Sequence, residues 1–127
     1  MADRGASPCG GGRHVTFVDL YGQPAYEPDG HEGVLNRLLA GRQLGNDRVS
    51  IWHGTLQSGG SSDTHVHERS AQIYVGLTGT CTVTVDDQVH DLGPLTAVTI
   101  SAGRPHRIAN DGNEEATLLV VSAPALR

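Results

Sequence analysis

The sequence predicts an all-β fold, and three observations carry that expectation. Seventeen glycines and six prolines stand against 37% apolar residues, a composition that favours many short strands joined by tight turns over a helical bundle. From Asp47 onward apolar and polar residues alternate with a period close to two, as in strands with one buried face. These runs recur at spacings of roughly 8 to 12 residues with turn residues between them, which indicates a sandwich or barrel. A chain of 127 residues is long enough for one core and too short for a second domain, and it has no internal repeat.

Residues 1–13 (MADRGASPCGGGR) are too glycine-rich and too poor in large apolar side chains to pack, and are expected to form a flexible tail ahead of a single domain over 14–127. His14 to Leu20 (HVTFVDL) reads as a first strand, and Tyr21 to Gly33 as a turn-rich connection. Val34 to Ala40 has room for only two helical turns between Gly33 and Gly41, so a strand is favoured. Arg48 to Leu56 is a strand by its alternation, and Gln57 to Asp63 (QSGGSSD) reads as a flexible loop. Strands follow at Ala71 to Leu77 and Thr80 to Val85, with a two-residue hairpin turn at Asp86 and Asp87 and a polar strand through Asp91. Leu95 to Ile100, Arg104 to Ala109 and Ala116 to Ser122 complete the series, the last two joined by a turn at Asn110 to Asn113.

His65 and His67 stand one residue apart. In an extended segment, side chains at i and i+2 share a face, so the two imidazoles can be offered to one ion. The wider frame runs Gly59, His65, His67, Gln72 and Gly79, and then Gly103, His106 and Asn110. This frame resembles the two sequence motifs of the cupin superfamily. The first matches in spacing throughout, with Gln72 where most members carry Glu; in the second, Leu95 stands for a usual Gly and Ser101 for a usual Pro. The resemblance covers roughly Asp47 to Pro124.

What it implies is a small cupin, a jelly-roll-like β-barrel, with one divalent metal held by His65, His67, Gln72 and His106. Such a donor set is acceptable to Zn, Fe(II), Ni, Mn, Co or Cu. With Gln in place of Glu the ligands are all neutral, and a bound ion keeps its full charge, which suits Lewis-acid work better than easy redox cycling. Some cupins with this His-His-Gln-His set are isomerases, polyketide cyclases or uronate-ketonising enzymes, whereas many with Glu are oxygenases. The uronate-ketonising members carry a proton-transferring Asp on the last strand, where this chain has Leu118 to Val121. Pairing of cupins through sheet edges implies a homodimer.

The expected activity is therefore Lewis-acid isomerisation, cyclisation or elimination of a small oxygenated substrate through an enolate. An Fe(II)- or Ni-dependent dioxygenase and a non-catalytic ligand-binding or sensor barrel stay open as alternatives, as does a barrel that has lost its metal. With Gln72 inward, the strand period puts Tyr74 on the same face, as an acid, a hydrogen-bond donor or a core aromatic. His53 is a general base if it faces inward, but the parity of its strand is open. Arg69, Arg104 and Arg107 lie close in sequence to the ligands and could hold a substrate carboxylate, or be solvated surface groups. His14, His31 and His90 have no partner at ligand spacing and read as surface or loop residues.

Several classes are excluded or disfavoured. A net charge of −5 with one Trp, three Tyr and one Phe offers neither a phosphate-neutralising surface nor a stacking platform for nucleic acid. All nine cationic residues are arginine, so Schiff-base and pyridoxal chemistry are out of reach. Cys9 and Cys81 lack metal-type spacing, and Cys81 reads as a buried small hydrophobe. No Gly-x-Ser-x-Gly elbow supports a hydrolase. No run has signal-peptide or membrane-span length, so a cytoplasmic protein with a small-molecule partner is expected.

Overall fold

The structure, a computed structural model, describes residues 15–126. The expected tail with Cys9, and His14 at the head of the expected first strand, lie outside the described residues. The strands are β1 (His31–Ala40), β2 (Ser50–Ser62), β3 (Ala71–Thr78), β4 (Cys81–Val85), β5 (Gln88–Leu92), β6 (Ala97–Ile100), β7 (His106–Ala109) and β8 (Ala116–Ala123). All pairings are antiparallel, in the order β5-β4-β7-β2-β8-β3-β6, with β1 on the other edge of β2. The terminal strands β5 and β6 touch, so the sheet curls into a nearly closed barrel. Among the described residues no helix is long and apolar enough to cross a membrane.

The alternation seen in the sequence sets the inside of this barrel. Leu56, Tyr74, Val83, Ile108 and Leu118 come from five different strands, and all are buried in one cluster with Val34, Leu92 and Ile100. Each such side chain contributes about 1.5–3 kcal/mol when taken out of water. Cys81 is a free, buried member of the cluster, as expected. Burial pushes its thiol up to about 11. At the expected hairpin, Val85 pairs with Gln88, and Asp86 and Asp87 take φ 54° and 105°. Positive φ at both central residues is what a type I′ turn needs.

Three expectations require correction. No strand forms over 14–20 in the described part: residues 15–19 have no regular structure, and Leu20–Gly22 is a 3-10 turn. A strand needs a neighbour to take its backbone bonds, and Val15 and Phe17 here stand 94% and 90% exposed. Gln57 to Asp63 is not a loop, because β2 continues through Ser62 and pairs there with β1 (His31↔Ser62, Glu32↔Ser61) and β7 (Ser61↔Ala109). Two glycines make this possible: a Cβ on Gly60 would sit 2.5 Å from the carbonyl oxygen of Gly33. β1 consequently starts at His31 rather than Val34, which draws a residue read as a loop histidine into the sheet.

Candidate metal centre

The distant halves of the histidine frame are joined by backbone. His65 and His106 form an isolated antiparallel bridge, with His65 N–H donating to His106 O at 2.9 Å and His106 N–H to His65 O at 3.0 Å. The loop carrying His67 is tied to the β6–β7 turn by Gly103 N–H donating to His67 O at 2.8 Å. Gly103 holds φ 85°, a conformation that glycine adopts without cost. These bonds bring the ring of His106 to 4.4 Å from that of His65 and 5.5 Å from that of His67, centroid to centroid. The candidate ligand nitrogens of the three residues lie within 4.8 Å of one another.

The tautomers follow from the hydrogen bonds. His65 Nδ1 is 2.9 Å from Asp63 O, and His106 Nδ1 is 2.8 Å from Arg104 O. A carbonyl only accepts, so each Nδ1 carries the proton and each Nε2 of the neutral ring keeps a lone pair. Orienting a ligating imidazole through its other nitrogen is the usual outer-shell device of metal sites. His106 is 2% exposed, and its Nε2 is buried with no hydrogen-bond partner among the described residues. An orphaned buried acceptor costs about 1–3 kcal/mol, and a cation shared with two further imidazoles removes that cost. The residues present fit a divalent ion.

Electrostatics favour the neutral form of His67 and His106. Burial, followed by the neighbouring His65 and His106, pushes the His67 imidazole down to about 4. Burial also lowers His106, against the opposing effect of its bond to Arg104 O.

Gln72 is buried beside this cluster. Its Nε2 donates to Ser122 Oγ at 2.9 Å, and its Oε1 accepts from Tyr74 Oη at 3.3 Å. Ser122 thereby fixes the amide, leaving Oε1 with a second lone pair. The Tyr74 ring lies 6.0 Å from that of His106. Burial, and secondarily Cys81, raises the Tyr74 phenol well above its usual range, so it stays protonated and acts as a donor.

A cavity of about 950 Å³ opens in front of these groups, and His65, His67, Gln72 and Tyr74 line it. Its walls take Val34 and Leu38 from β1, Trp52 and Leu56 from β2, and Leu118 and Val120 from β8.

The family model for the cupin domain matches residues 52–122, more than half of the chain. This chain is a cupin. A sequence comparison with curated proteins finds no match. Solved structures share the barrel: the polyketide cyclase RemF from Streptomyces resistomycificus is 23% identical with a TM-score of 0.77, over 87% of this chain and 80% of that one. TT1209 from Thermus thermophilus is 29% identical with a TM-score of 0.69, over 87% and 98%. A predicted oxalate decarboxylase from Thermotoga maritima is 20% identical with a TM-score of 0.76, over 89% and 100%.

In this cupin the other expected site residues are placed differently. Trp52 lines the cavity, so its neighbour His53 is on the outer face of β2, opposite Arg37 and Leu119. Burial and then Arg37 lower the His53 imidazole. Arg69, Arg104 and Arg107 do not line the cavity. Arg69 is exposed; Arg107 alternates with the inward His106 on β7; and Arg104 pairs with Asp86, its Nε donating to Asp86 Oδ2 at 2.6 Å. His90 is exposed on β5, as expected. His31, in contrast, lines the cavity with its ring 5.8 Å from that of His65, and its Nδ1 is bonded to Asp29 O at 2.8 Å. Its one signal in the sequence is the preceding Asp-Gly pair, which turns the chain into β1.

Proposed function

We propose that this cupin is a metal-dependent enzyme acting on a small oxygenated substrate, in an isomerisation, cyclisation or elimination next to a carbonyl. The observation that carries the reading is the buried, unpartnered Nε2 of His106, gathered with the imidazoles of His65 and His67 at the wall of the cavity. His65, His67, His106 and the Oε1 of Gln72 would hold the ion. A divalent ion bound there by four neutral donors would supply Lewis acidity toward a substrate carbonyl.

The chain's own groups have separable tasks. Tyr74 donates from a phenol that stays protonated, and together with Ser122 it orients Gln72. His31 gives its Nδ1 proton to Asp29 O, keeps a lone pair on Nε2, and is the cavity histidine available to accept a substrate proton now that His53 faces outward. Apolar walls exclude water from the reacting end and strengthen each of these hydrogen bonds. One structural neighbour with this barrel, RemF, is a polyketide cyclase, which is a reaction of the proposed class.

Elemental analysis of the purified protein beside the His65→Ala/His106→Ala double variant tests the site. Near-stoichiometric metal in the first and little in the second is expected; equal content in both would sink the reading. Turnover by the zinc-loaded protein without oxygen supports the Lewis-acid chemistry, and a strict requirement for O2 would replace it with the oxygenase.

A further inference from the structure

The cavity lining combines three kinds of group. The imidazoles of His31, His65 and His67 stand there with Gln72 and Tyr74; apolar side chains include Leu38, Trp52, Leu118 and Val120; and the exposed carboxylates of Glu27, Asp29 and Asp63 come from the approach to β1 and the end of β2. The Glu27 carboxylate is oriented by the Gly33 N–H, which donates to its Oε2 at 2.7 Å. Among the described residues no arginine lines the cavity, and the chain has no lysine. The nearby cations are engaged elsewhere: Arg37 stacks over Tyr21 and donates to Gln23 O, and Arg42 donates to Ala125 O.

From this arrangement we infer that the cavity selects an uncharged, carbon-rich carbonyl compound, with its oxygen at the imidazole end and its apolar body between Trp52 and Leu118, and that it rejects carboxylates. The inference rests on the proposed function for the role of the imidazole end. It goes beyond that reading in naming the substrate class. A carboxylate meets three like charges in the lining and no guanidinium or ammonium there to offer the bidentate contact such groups use, so the protein's own groups disfavour it. A cationic ligand gains beside the carboxylates but must leave water for apolar walls, facing donors arranged for a metal cation. A neutral aromatic or alicyclic ketone meets neither obstacle, and a cavity of about 950 Å³ accommodates several fused rings.

Trp52 is the single tryptophan of the chain and lines the cavity, so its emission reports entry. The test titrates the full-length protein, zinc-loaded and chelator-treated, with 2-acetylnaphthalene, 2-naphthoate and 1-(2-naphthyl)ethylamine, read by calorimetry and by Trp52 emission. In the chelator-treated form, where only the protein's own lining acts, the ketone is expected to bind at least tenfold more tightly than either charged probe. In the Asp29→Asn/Asp63→Asn variant, naphthoate should gain at least threefold while the ketone stays unchanged. Naphthoate or the amine matching the ketone in the chelator-treated wild-type chain, or a variant that leaves naphthoate unimproved in that form, overturns the inference. Zinc content measured on the same samples separates the two failures. A chain that takes up no zinc but prefers the ketone refutes the metal reading alone, and a zinc-binding chain that still prefers naphthoate once the metal is removed refutes the substrate class alone.

Discussion

At position 95 the backbone takes φ 61° although the residue is leucine, and the side chain is 86% exposed. A non-glycine residue in the left-handed region costs about 1–2 kcal/mol, and the exposed Leu95 side chain recovers little of it by burial. The second cupin motif carries glycine here for this physical reason. Leu95→Gly is therefore expected to stabilise the protein by about 0.5–1 kcal/mol in chemical denaturation, the strain relieved being partly offset by the added freedom of the unfolded glycine. His67 contributes to the pH dependence. Its imidazole is lowered to about 4 in the folded chain, against an ordinary value of 6.5. Between these values the unfolded chain binds a proton that the folded chain does not, so stability falls as pH drops from 6.5 toward 4. Melting curves of the metal-free protein should show that decline, and His67→Gln should reduce it, the lowered imidazoles of His106 and His53 supplying the remainder.

β2 is the element on which the site depends. Its first half pairs with β8 and its second half reaches β7, while β1 covers the other edge along its length. The close approach of Gly60 to Gly33 allows the second half to pair, since the carbonyl of Gln57 also lies 2.9 Å from where a Cβ would be. Gly60→Ala should destabilise by about 1–3 kcal/mol and displace His31 and Asp63, so both melting temperature and Trp52-reported ligand entry should suffer. The polar run QSGGSS reads as a loop because it lacks apolar alternation; it is a strand because partners on both sides take up its backbone bonds. For the same reason the apolar run HVTFVDL reads as a strand and forms none in the described part of a single chain. Asn110 marks the limit in the other direction. Its spacing was legible, and its role proves structural: it is fully buried, with Nδ2 donating to Leu56 O and Glu114 O and Oδ1 accepting from Gly112 N.

At the scale of the whole molecule, metal removal and assembly are the informative measurements. Under the proposed function, free zinc at a hundredfold over its dissociation constant stabilises the native state by about 2.7 kcal/mol, so the melting temperature should rise by roughly 10 °C over the chelator-treated protein. No shift would argue against the three-histidine site. The bare apolar side chains of Val15 and Phe17 and the open edges of the sheet lead us to expect a homodimer, with light scattering giving twice the chain mass. Phe17→Asp should shift that equilibrium toward monomer.

The sequence by itself determined that the chain is all-β, where most strands fall, and which three histidines, His65, His67 and His106, gather at one site, because alternation and motif spacing are local properties. Tertiary structure decided the rest. Whether His53 or Trp52 faces the cavity depends on the register of β2 against β1 and β8, and a one-residue slip would exchange them. His31 joins the site, and the arginines are left outside it, through pairings between segments far apart in the chain. The substrate-facing chemistry belongs to that second kind of information, since a cavity wall is composed of residues that only the closure of the sheet brings together.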